Sequence, residues 1–180
     1  MTILGLMRFG FALFLSLAVG CVGMSSPRLG LHLGDRVPPM ILTDYQGNSV
    51  TLSKDIEGKV ALVRFWSIDC ALCNNEMLLS LEALYQKYKA KGFVPIAVHQ
   101  GRPVEGDDRL RKFDRASYPM LIDEYGKAAG YFGVVGLPTT FILDEKGIVR
   151  EKIIGEPGID ACEKLMTTVL YKEGFYDGAY

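Results

Sequence analysis

Among the 180 residues there are four cysteines and two histidines, and one pair is spaced for joint chemistry: Cys70 and Cys73, in Cys70-Ala-Leu-Cys73. Two thiols separated by two residues can close a disulfide and exchange it with a partner's, one thiolate attacking and the other releasing the mixed disulfide. The same spacing supplies half of a tetrahedral zinc site, which needs two further ligands. Cys21, Cys162, His32 and His99 are scattered and form no second ligand pair, so the pair reads as a redox dithiol. Such chemistry carries its electrons in the sulfurs, and neither a metal nor an organic cofactor is expected.

The flanking elements must position that pair. Residues 60–66, Val-Ala-Leu-Val-Arg-Phe-Trp, are almost all apolar or β-favouring, as in a strand covered on both faces. From Ala71 onward the period changes: Met77, Leu81, Leu84, Tyr85 and Tyr88 recur at helical spacing, with Glu82, Gln86, Lys87 and Lys89 on other faces. The expectation is a helix with Cys70 at its N-terminus and Cys73 in its first turn, ending near Gly92 as a left-handed cap. Unpaired amides and the helix dipole at that end would lower the thiol pKa of Cys70. Cys70 is then the attacking thiolate and Cys73 the resolving thiol.

The rest of the chain reads as a leader, a tether and one domain. A hydrophobic content of 49% supports one core, and a formal net charge of −1 gives no electrostatic footprint for nucleic acid. Residues 1–22 carry one charge, Arg8, and an apolar run of about 14 residues, too short to span a bilayer but suited to a signal-peptide core. Ala18-Val-Gly-Cys21 is similar to the bacterial lipobox, in which cleavage exposes a cysteine for lipid attachment, although leucine is usual where Ala18 stands. Lipid attachment at Cys21 is the preferred expectation, with ordinary cleavage or an uncleaved anchor as alternatives. Residues 23–34, including Ser25, Ser26, Pro27 and His32, lack periodicity and read as a flexible tether, which leaves 35–180 as the domain.

Within that domain, residues 40–52 read as a hairpin turning at 45–48, and 53–58 lead into the central strand. Residues 93–99 are a second apolar strand, so strand, helix and strand imply a right-handed parallel crossover. His99 then ends its strand at the sheet edge that carries Cys70, where ligands of open α/β sheets gather. It could carry protons to the dithiol; the preferred reading is a strand-end histidine bonded to a loop. A charged helix over 107–116 with Leu110 and Phe113 inward, a strand over 118–122 and a short helix ending at Gly133 follow. Residues 136–155 read as two strands joined by an Asp-Glu-Lys-Gly turn. The last helix, 158–173, buries Ile159, Cys162, Leu165, Met166 and Val169, with Cys162 an inert core thiol.

Phe65-Trp66 ahead of Cys70-Ala-Leu-Cys73, the crossover, and Val135-Gly-Leu-Pro-Thr-Thr-Phe about 65 residues later resemble the thioredoxin superfamily. The similarity is greatest to its extracytoplasmic TlpA/ResA branch and covers roughly residues 35–173. It implies an α/β fold: a central mixed sheet flanked by helices, with an N-terminal β-hairpin and an inserted helix and strand. It further implies that the bond before Pro138 is cis and faces the dithiol, leaving the Leu137 backbone to pair with substrate, and that Trp66 belongs to the substrate site. The implied activity is thiol–disulfide exchange at the bacterial cell envelope. Its partners would be exported proteins bearing cysteines or disulfides, apocytochrome c among them, and a membrane thiol–disulfide protein as electron donor.

Two residues depart from that pattern. Arg64 stands where the family usually has Asn or Asp, and an acid there can relay protons to the buried cysteine, which arginine cannot. Asp69 precedes Cys70 where many relatives carry a neutral residue; its charge would raise the thiol pKa, whereas a nearby Arg64 would lower it. Neither fixes the direction of exchange, because thioredoxin-like and DsbA-like potentials differ by about 150 mV, or ~7 kcal/mol for two electrons, against ~1.4 kcal/mol for one pKa unit. Ala71-Leu72 places no thiolate-stabilising histidine between the sulfurs, which together with the resemblance points to a reductant. The rivals are a non-catalytic adaptor or metal chaperone and a thiol peroxidase. Copper-carrying relatives use three residues between cysteines and a distant histidine, and peroxiredoxins a Pro-x-x-x-Thr-x-x-Cys arrangement; neither is present.

Overall fold

The run read as a doubly covered strand, Val60–Trp66, is β3, and all seven of its residues are buried. A computed structural model describes residues 30–104 and 106–172; the leader and Cys21 lie outside the described residues. Before β3 come β1 (Ile41–Asp44), β2 (Ser49–Thr51) and the single turn α1 (Leu52–Asp55); after it come α2 (Glu76–Tyr88) and β4 (Phe93–Gln100). A 3-10 helix (Asp108–Phe113), β5 (Met120–Asp123), α3 (Lys127–Phe132), β6 (Thr139–Leu143), β7 (Val149–Ile154) and α4 (Ile159–Leu170) complete the chain. The strands form one mixed sheet in the order β2-β1-β5-β4-β3-β6-β7, in which β3, β4 and β5 run parallel and the remaining pairings are antiparallel.

Alternation along β3 divides the core in two. Val60, Leu62 and Trp66 meet Met77, Leu78 and Leu81 of α2 and Cys162 and Met166 of α4. Ala61, Val63 and Phe65 meet Phe132 of α3 and Phe141 of β6 on the other face. Arg64 falls in the first set by parity, a charged residue with no exposed surface on the side covered by α2 and α4.

Several boundaries differ from the sequence reading. Helix α2 begins at Glu76, so neither Cys70 nor Cys73 lies in the helix. Residues 67–75 form successive turns instead, with Cys70 N–H donating to the Ser67 carbonyl and Cys73 N–H to that of Cys70. Asn74 explains the delay, because its side-chain oxygen accepts the Glu76 N–H at 3.0 Å and offers the backbone an alternative to a helical bond. The helix does stop as read, through a short 3-10 segment to Gly92 at φ +86°. The charged segment 107–116 is a six-residue 3-10 helix, in which Leu110 and Phe113, three apart, share one face. Residues 30–34, read as tether, touch the domain: Gly34 N–H donates to Val149 O at 2.8 Å, and Gly30 lies so close to Gly133 that a Cβ would stand 2.3 Å from its Cα. The ordered contacts therefore begin before Asp35. Helix α4, Ile159–Leu170, buries Cys162, Met166 and Val169 as read and leaves Ile159 and Leu165 half-buried against the same core.

Candidate active site

The dithiol sits where β3 leaves the sheet. Cys70 and Cys73 are joined as a disulfide with their Cα atoms 5.3 Å apart. The two are unequally exposed: Cys70 is partly open, whereas Cys73 is buried against the α2 side of the core. Leu137 and Pro138 come to the same place from the far end of the chain. Their peptide bond is cis, and the Leu137 carbonyl oxygen is 3.7 Å from Cys70 Sγ. Pro138 O is occupied by Gly155 N–H and Thr139 Oγ1 donates to Gly136 O, while Leu137 N–H has no partner among the described residues. Leu72, next to Cys73, and Val135, two residues before Leu137, are both strongly exposed.

Three contacts hold the turns that carry the sulfurs. His99, in register with Trp66 where the β3–β4 ladder ends, accepts the Ile68 N–H at Nε2 over 3.1 Å. Its Nδ1 is 3.1 Å from the Gly101 carbonyl, so the ring is bonded at both nitrogens and has none left to carry protons to the dithiol. The strand-end reading of His99 is the one observed. Asp69 meets Arg109 at 2.9 Å, and Arg109 also chelates Asp107, so the charge beside Cys70 is compensated by the 3-10 helix. Both groups of this bridge are solvated, which limits its worth to under about 1 kcal/mol.

The third contact reaches the residue after Cys73. Arg64 Nη2 pairs with Glu156 Oε2 at 2.5 Å, its Nη1 donates to Thr140 Oγ1 at 3.2 Å, and the same Glu156 oxygen accepts the Asn74 N–H at 3.0 Å. One carboxylate thus ties β3 and the loop after β7 to the residue following Cys73. Arg64 is therefore not a free positive charge beside the thiols, and its stated opposition to Asp69 falls away. Trp66, assigned to the substrate site by resemblance, is 1% exposed, its ring enclosed by His99 and Phe113. It supports the site from below and cannot touch a partner. Cys162 is free and buried, and burial pushes its thiol up to about 11. Glu156 and Arg109 were missed from the sequence, since a carboxylate in a Gly-Glu-Pro-Gly loop and an arginine in a charged segment look like solvated residues.

Comparison with known proteins agrees with this arrangement. Residues 33–152 match the AhpC/TSA family. The thiol-disulfide oxidoreductase ResA of Bacillus thuringiensis is 36% identical over 157 residues, covering 84% of this chain and 88% of that protein. Among solved structures, a Chlorobium tepidum protein assigned as thiol:disulfide interchange protein DsbE superposes with a TM-score of 0.69 at 28% identity, covering 78% of this chain and 99% of that one. A thiol:disulfide interchange protein from Bacteroides sp. gives a TM-score of 0.65 at 26% identity, over 83% of this chain and 99% of that one. A cysteine pair closed as a disulfide at the edge of a thioredoxin-like sheet, in a chain so related, is a thiol–disulfide oxidoreductase centre: the chain belongs to the AhpC/TSA family and is of the ResA type.

Proposed function

We propose that the protein is an extracytoplasmic reductant of cysteines in exported proteins, tethered to the membrane through lipid on Cys21. In this reading Cys70 is the attacking thiolate. It opens a partner disulfide, forming a Cys70 mixed disulfide and releasing one partner thiolate; Cys73 then attacks Cys70 Sγ, releasing the second partner thiolate and closing the Cys70–Cys73 disulfide. Two electrons pass from the dithiol to the partner. The observation that carries the assignment is the inequality of the two sulfurs, since the partly open Cys70 can meet a partner and the buried Cys73 can meet only its neighbour. Leu137 N–H and the flanking Leu72 and Val135 offer a partner strand one hydrogen-bond donor and apolar contact. Apocytochrome c is one substrate of the right chemistry, and a membrane dithiol protein would return the electrons.

The reductant direction is supported by the surroundings of the pair among the described residues: the helix N-terminus lies beyond both sulfurs and the buried cation Arg64 is neutralised by Glu156, so neither holds a thiolate strongly. An oxidised form that is favoured over the thiolate pair makes a low-potential couple. The midpoint potential of the Cys70–Cys73 pair, measured against glutathione or dithiothreitol buffers, is expected near the thioredoxin value of about −270 mV. A value near the DsbA end, about −120 mV, would make the protein an oxidant and overturn this direction.

A further inference from the structure

We propose that His99 is a positioning residue for the reactive cysteine, holding the Ser67–Cys70 turn in place only as a neutral imidazole, so that acid releases the turn. The inference rests on Cys70 being the attacking thiol. Ile68 N–H can only donate, so Nε2 facing it at 3.1 Å must be an unprotonated acceptor. The proton of the neutral ring is then on Nδ1, where it donates to Gly101 O. One tautomer alone satisfies both bonds. Adding a proton at Nε2 sets two donors face to face, and the turn loses the contact that replaces the sheet ladder beyond Trp66.

That contact matters to Cys70 because the turn has few other ties to the sheet. Cys70 N–H bonds to Ser67 O and Asp69 N–H to Ser67 Oγ, both inside the turn itself. The backbone at Ile68, two residues before Cys70, is the point at which the turn is fastened to β4. His99 is 2% exposed, and burial lowers its basicity. Against burial, the bond to Gly101 O and the carboxylates of Asp69 and Asp107 favour the charged ring, and Arg109 bridges both carboxylates. Tyr45 of the hairpin turn approaches edge-on, Trp66 encloses another side, and Asp123 on β5 is engaged in capping α3 through Ala128 and Ala129 N–H.

The test uses the reduced full-length protein, a small methanethiosulfonate reagent and mass spectrometry to assign the labelled cysteine, from pH 4 to 8. In the wild type the Cys70 rate is expected to fall with two protons on the acid side, one from the thiol and one from His99. His99→Phe, which has no acceptor, should react about three- to tenfold more slowly at neutral pH, the worth of one neutral hydrogen bond, and fall with one proton only. His99→Gln, whose amide oxygen can accept the Ile68 N–H but does not titrate, should recover much of the rate and also show one proton. In the wild type the Ile68 amide resonance should shift with the same midpoint as the His99 ring. Superimposable wild-type and His99→Phe profiles, or an Ile68 amide indifferent to His99 titration, would overturn the proposal. If His99→Phe does not fold, the Gln variant and the wild-type titration decide. Labelling at Cys73 first would instead remove the assignment of the attacking thiol, leaving the His99 contact to be judged by the amide titration.

Discussion

Arg64 is the residue whose meaning changes most between sequence and structure. A guanidinium with no exposed surface carries a large desolvation cost, and what makes it tolerable is Glu156, 92 positions later. Removing the carboxylate while leaving the cation buried should therefore cost more than removing the cation. Glu156→Gln is expected to lower the unfolding free energy by about 2–3 kcal/mol, less than for a fully buried pair because Glu156 keeps 25% of its side chain exposed. Arg64→Met should lose only about 1 kcal/mol, chiefly the Thr140 hydroxyl partner. Urea unfolding of the two oxidised variants checks the order, and the reverse order would refute it. His99 supplies a pH dependence of known sign. Its basicity is lowered in the fold, so the unfolded chain binds more protons near and below about pH 6.5, and stability falls as pH drops through that range. His99→Gln should lack this component, seen as a smaller loss of urea midpoint between pH 7.5 and 5. Cys70, Cys73 and Pro138 were legible because their spacing is local or family-specific. Glu156 was not, because only the tertiary fold brings it to Arg64 and to the residue after Cys73.

Among the elements, β3 and β4 could be read from continuous apolar runs, as expected of strands buried on both faces, and α2 from its helical stripe. What period could not give was where α2 starts. Met77 and Leu78 mark the face that packs, not the first helical bond, and Asn74 shifts that bond beyond both sulfurs. The consequence is chemical as well as geometric, because the dipole expected to act on Cys70 begins six residues later. The inserted 3-10 helix was legible in its inward residues but not in its winding. Phe113 is its anchor, 6% exposed and edge-on to Trp66 at 5.2 Å, and so stands behind the wall that encloses His99. Phe113→Ala should cost about 3 kcal/mol in urea unfolding and speed hydrogen exchange at Ile68. A loss under about 1 kcal/mol with unchanged exchange would show that this helix does not support the site.

At the scale of the molecule, the site is assembled from four separated segments: the end of β3, the end of β4, the loop before β6 and the loop after β7. The first two were predictable from one crossover. The third was predictable from the resemblance, because Leu137 and Pro138 have no local signal that points at Cys70. The fourth was invisible. The sheet order follows the same division: parallel pairing of β3 and β4 is local logic, whereas β1 lying against β5 depends on an insertion whose packing no short window reveals. Everything functional depends on the two sulfurs being unequal, one meeting partners and the other only its neighbour. The most direct measurement is to incubate Cys73→Ser and Cys70→Ser proteins with a disulfide-bearing substrate and identify the covalent adducts by mass spectrometry. The account predicts a stable mixed disulfide on Cys70 in the Cys73→Ser protein and none in the Cys70→Ser protein; adducts formed only through Cys73 would contradict it.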